Sequence, residues 1–223
     1  ATPEPVEERT WPEAYYQGPL VSAHEHMNGP DGFQMTQETM DWYVRWQQRN
    51  GLAQTMAITS EQYIPPVKAH DDRLVPFYFP WHETHEHFDS LRTALERRLA
   101  EYPFYVGLGE FTLYDNPADD RPAIPANHPQ LLEIYDLAAA RDMPVMVHGA
   151  DTSNGYDDPA KPVEHMEAAL AHNRDCDFLV HGTFQHGVTI DGETDVPVGE
   201  AVARLLERHP NLYYDISGQC SPY

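Results

Sequence analysis

The sequence predicts an α/β fold assembled from repeated strand–helix units. Three observations predict it. Short apolar runs recur along the 223 residues, segments of helical period lie between them, and the strand ends fall about every 20 to 40 residues. The length suits one large domain or two small ones, and α/β barrels commonly reach this size as a single domain.

Residues 1–18 (ATPEPVEERTWPEAYYQG) are acidic and proline-bearing, and read as an N-terminal extension before a domain spanning 19–223. The predicted strands are GPLVSA before His24, LAQTMAIT at 52–59, LVPFYF at 74–79 and FYVGLGEF at 104–111. Three more follow: PVMVH at 144–148, DFLVH at 177–181 and NLYYDIS at 211–217. In DSLRTALERRLAEY, Leu91, Leu95 and Leu99 recur at i, i+4 spacing, with Ser90 placed to cap the helix. PQLLEIYDLAAARDMP, VEHMEAALAHN and VGEAVARLLERHPN are helical by the same test, the first and last ending near proline.

The formal net charge is −22, from 36 acidic residues against 14 Lys and Arg. Such a surface repels phosphates, which argues against nucleic acid as a partner, and it attracts divalent cations. No apolar run approaches the roughly 20 residues that span a bilayer, so no membrane association is expected. Cys176 and Cys220 are too few for a disulfide framework, and their spacing fits no CxxC site. Cytoplasmic location and export after processing both remain open, as does assembly into a homo-oligomer.

Successive strand residues point to opposite faces, so in VSAHEHMNGP His24 and His26 share a face while Glu25 points away. On a barrel strand, that shared face at the C-terminal end is where active sites are built. The fourth predicted strand closes in Gly109-Glu110, the fifth in His148 and the sixth in His181. One such histidine is ordinarily a satisfied core residue. Four of them and a carboxylate, all at equivalent strand ends, are costly to bury unless they share a cation.

HxH after strand 1, Glu after strand 4, and His after strands 5 and 6 resemble the amidohydrolase superfamily of metal-dependent hydrolases. VGLGEF, MPVMVHGA, FLVHGTFQHG and NLYYDISG are similar to its amidohydrolase-related and TatD-like branches, from about residue 19 onward. The resemblance implies a TIM-type (β/α)8 barrel holding one or two divalent metal ions, commonly zinc. His24 and His26 would hold the more buried ion, His148 and His181 the second, with Glu110 between them. Metal coordination brings the pKa of bound water towards neutrality, so that it can attack a carbonyl or phosphoryl centre. The expected substrate is a small molecule: an amide, ester, lactone or phosphoester. A superfamily decarboxylase, or a non-catalytic metal-binding or interaction module on a degenerate barrel, are the alternatives.

The family carries an Asp after strand 8 that ligates metal and moves the proton of the attacking water. No eighth strand follows Ser217-Gly218, so the barrel lacks it in this chain, and no residue is assigned as the catalytic base. Asp215 lies within the seventh predicted strand and reads as a poor substitute. The expectation is therefore that the C-terminal end is missing, and that the native chain extends by roughly 40 to 100 residues to ordinary barrel size.

The second HEH, His85-Glu86-His87, sits in a polar stretch past strand 3 and reads as a solvated loop; HETHEH does not form HExxH. On the rim side of that loop, His82 or His85 could touch substrate. Asp151 and His186, just beyond the strand-5 and strand-6 ligands, are further candidate substrate-binding residues. His165, His172 and His209 read as surface residues on helices.

Overall fold

The computed structural model describes residues 19–27, 35–80, 83–84, 88–113, 124–148, 161–181 and 188–215. Seven parallel strands alternate with helices in the TIM-type (β/α) barrel pattern, and no eighth parallel strand lies among the described residues. The chain divides into two compact units, residues 1–77 and 78–223.

The first unit orders its strands β1 (Leu20–His26), β2 (Leu52–Thr59) and β3 (Leu74–Tyr78, its last residue in the second unit). β1 runs parallel to β2, with Glu25 opposite Ala57 and His26 opposite Ile58. His24 and His26 are therefore part of the strand, not the loop after it. Helix α1 (Gln37–Arg49) is an element that the apolar pattern did not predict. It starts where the Thr36 hydroxyl accepts from the Thr39 amide at 3.3 Å. Met40, Val44 and Gln47 form its buried face, while Trp42 and Trp46 stay exposed and blur the stripe. Gly51, at φ +78°, follows the helix in the left-handed conformation that glycine adopts without strain.

Glu25 of β1 lies beside Tyr43 of this helix. Burial raises the Tyr43 phenol above its ordinary pKa, and the neighbouring Glu25 charge raises it further. Glu25 thus points to the helix side of β1, away from its flanking histidines, as the strand alternation predicts. Gln47 donates to Thr55 in the same layer. A short helix, α2 (Ile64–Lys68), precedes β3, and His70 meets Asp41 at 2.7 Å.

The second unit orders β4 (Gly107–Thr112), β5 (Val145–His148), β6 (Phe178–His181) and β9 (Leu212–Asp215), all parallel. Their crossovers are α3 (Leu91–Glu101), α4 (Pro129–Ala139), α5 (Lys161–His172) and α6 (Val198–Arg208). Phe178 is fully buried and meets Tyr135 of α4 edge-on at 4.7 Å, so that face of β6 packs on helix. By alternation, Leu179 and His181 lie on the other face. Ser90 does not cap α3 with its side chain; a turn at Phe88–Ser90 leads in instead.

A β-hairpin, β7 (Val188–Ile190) and β8 (Glu193–Val196), is inserted between β6 and α6. Its turn, Asp191-Gly192, holds φ of +56° and +79°, the handedness that matches twisted strands. Val188, Ile190 and Val196 are buried, and Arg204 and Arg208 of α6 bond the turn through Asp191.

Of the three helix histidines read as surface residues, His172 is exposed and the other two are not. His209 is buried and meets Glu167 at 3.5 Å, His165 is partly buried, and His172 meets Asp136 at 3.1 Å. Cys176 is buried, and burial pushes its thiol up to about 12, ahead of the nearby Asp177 and Asp136 charges. Cys220 lies outside the described residues. No helix among the described residues is long and apolar enough to cross a membrane.

Candidate functional site

In the second unit, the ladder register assembles one row of side chains at the strand ends. Thr112 of β4 pairs with His148 of β5, His148 with His181 of β6, and His181 with Asp215 of β9. Residues paired across parallel strands share a face, so the four side chains stand side by side at about the 4.8 Å strand spacing. The His148 and His181 rings accordingly meet edge-on with centroids 4.7 Å apart.

Each imidazole in the row meets a carboxylate through Nδ1. His148 Nδ1 contacts Glu110 Oε1. His181 Nδ1 lies 3.4 Å from Asp215 Oδ2. Both acids are buried, Glu110 with 5% and Asp215 with 8% of the side chain exposed, so their charge needs partners inside the protein. Glu110 and His181 also offer ligand atoms within 4.8 Å of one another, a spacing at which the two could hold one divalent ion.

Gly109 places Glu110. Its φ of +122° lies in the left-handed region, and a Cβ there would collide with the Met146 carbonyl oxygen on β5. Only glycine lets β4 approach β5 this closely, and that approach sets Glu110 against His148.

In the first unit, His24 and His26 project from the same side of β1, with their Nε2 atoms 2.9 Å apart and ring planes tilted by 49°. Two nitrogens each about 2.0–2.1 Å from a zinc ion can be no more than about 4.2 Å apart, so this pair can reach one ion. His24 is half-buried and His26 exposed.

The sequence-predicted ligands are thus all on strands. Within the second unit, Glu110, His148 and His181 come together; within the first, His24 and His26 do. His82, His85, Asp151 and His186 lie outside the described residues. Asp215 has a larger place than the sequence reading gave it: it is buried and stands against His181. The signal was available, because LYY runs into an acid as VMV and FLV run into a histidine. Thr112 joins the row by the same register, with no marker in the sequence beyond its place after Glu110.

No protein-family model matches the sequence, and no curated protein does. Solved structures share its fold. A dihydroxybenzoic acid decarboxylase from Polaromonas sp. JS666, with bound manganese and the inhibitor 2-nitroresorcinol, has a TM-score of 0.51 at 10% identity, covering 88% of this chain and 77% of that one. A 4-oxalomesaconate hydratase from Rhodopseudomonas palustris has a TM-score of 0.50 at 13% identity, covering 88% and 73%. A 2,6-dihydroxybenzoate decarboxylase from Rhizobium is similar at 10% identity and a TM-score of 0.43, over 73% of this chain; the chain spans 66% of its length. At 10–13% identity these likenesses show the fold alone, and that fold is the TIM-type barrel that the strand-end residues led us to expect.

Proposed function

We propose that the chain belongs to a metal-dependent hydrolase of the amidohydrolase type, acting on a small molecule such as an amide, ester, lactone or phosphoester. The observation that supports this most is the row His148–His181–Asp215 with Glu110 against His148, which gathers two imidazoles and two buried acids on one face. That donor set fits zinc or manganese: imidazole suits the first and carboxylate the second. His148, His181 and Glu110 would hold one ion, and His24 and His26 another. When bound, the metal supplies Lewis acidity and an activated water. The residues of the row hold the donor atoms in place, and the two acids, being buried, are shielded from bulk water. His82, Asp151 and His186 would contact substrate.

A second reading, a decarboxylase with one metal, has its own observation. Glu110 is already engaged with His148 Nδ1, a role that needs no second ion to bridge. The test separates the two readings. Protein loaded with Zn²⁺ or Mn²⁺ is assayed against small esters, amides, lactones and phosphoesters by acid release, and against hydroxybenzoates by CO₂ release. Metal-dependent acid release supports the hydrolase. CO₂ release alone supports the decarboxylase, and neither, with metal bound, supports a binding module.

A further inference from the structure

We propose that Asp215 is a positioning residue for His181, holding the imidazole through Nδ1 so that Nε2 is the atom presented to a divalent cation; this rests on the metal-centre reading above. The β6–β9 register sets His181 directly opposite Asp215, and the Oδ2–Nδ1 separation is 3.4 Å. An ionised carboxylate can only accept, so it favours the tautomer with hydrogen on Nδ1. A neutral imidazole has one N–H, which leaves the Nε2 lone pair for the metal. Metal-bound histidines ordinarily donate their second nitrogen to an acid or carbonyl in this way.

The neighbouring rung repeats the pattern. His148 turns Nδ1 to Glu110, an acid on the strand before it, whereas His181 turns Nδ1 to an acid on the strand after it. Two imidazoles in edge-on contact are thereby each backed at Nδ1, from opposite sides. Asp215 is carried on a strand with its backbone paired to β6, which locks the ring more tightly than a loop residue would.

The test uses the whole chain with ¹⁵N-labelled histidine, and Zn²⁺ alone as the probe. In metal-free wild type, His181 should show the Nδ1–H tautomer. Asp215→Ala should shift that tautomer and lower zinc affinity roughly 10- to 100-fold. Asp215→Asn, which keeps an acceptor oxygen and is the safer fold, should lose less. In a His181→Ala background, Asp215→Ala should change affinity by less than about twofold. An unchanged tautomer and affinity in the folded Asp215 variants would overturn the proposal. So would a full loss in the His181→Ala background, which would make Asp215 a direct ligand. Zinc binding that ignores Asp215 overturns this proposal alone, whereas wild type that binds no zinc overturns the metal-centre reading and this with it.

Discussion

His24 and His26 face each other along one strand; His148 and His181 face each other across two. The first pair is set by the two-residue repeat of a single β-strand, and its observed contact is imidazole to imidazole, at 2.9 Å. The second pair is set by register, and each member meets a buried acid. Local spacing is enough to point two rings at a common place. Fixing a ring's rotation and tautomer takes a third group, and in this fold it comes from the adjacent strand.

The comparison breaks first at Gly109. Gly109→Ala should be the most damaging single change, because the new Cβ meets the Met146 carbonyl at a left-handed φ. We expect a loss of about 2–5 kcal/mol by chemical denaturation, from overpacking and backbone strain together. The His148 pair should lose its geometry, while the His24–His26 pair depends on no such approach. A variant as stable as wild type would mean that β4 does not press on β5 as described.

Glu110→Gln should be milder for folding and sharper for binding. It keeps the shape but removes the charge beside His148, so divalent-metal affinity should fall roughly 10- to 100-fold in equilibrium dialysis. If two ions bind, the second should weaken more than the first. Unchanged stoichiometry would take Glu110 out of the site.

Further from the row, Arg208 joins the hairpin turn at Asp191 to Glu167 on α5. Arg208→Ala should speed amide hydrogen exchange at Val188–Val196 and leave metal content unchanged. Loss of metal would show that the hairpin supports His181 after all.

The smallest effect concerns Asp136 on α4. The Asn173 side chain, then His172, hold its carboxyl below the ordinary range. A lowered folded-state pKa stabilises the protein above the unfolded value of about 4 and is lost as pH falls through the folded value. Asp136 is half exposed, so the contribution is well under 1 kcal/mol. Asp136→Asn should therefore lower the melting temperature slightly at pH 7 and not at pH 2.5. An equal shift at both pH values would assign the loss to something other than the charge.

The seven parallel strands were legible because each is a short apolar run bounded by polar residues, and β3 to β6 are almost wholly buried. The candidate site residues stood out for a related reason: an ionisable side chain that follows such a run is conspicuous, as Glu110, His148 and His181 are. Helix α1 was missed because Trp42 and Trp46 are apolar yet exposed, which erases the stripe that marks a helix. The β7–β8 hairpin carried its signal in Asp191-Gly192, but the repeating strand–helix reading had no place for it. Asp215 was undervalued because its role depends on facing His181, and pairing across strands is a matter of register, which a single strand's sequence does not state.

The central claim, that the carboxylate-backed row binds metal, is tested most directly by metal analysis of a folded His148→Ala/His181→Ala double variant beside wild type. Wild type should retain roughly one or two divalent ions per chain after dialysis. The double variant should lose at least one while still unfolding cooperatively. A folded double variant that keeps its full metal content would contradict the claim.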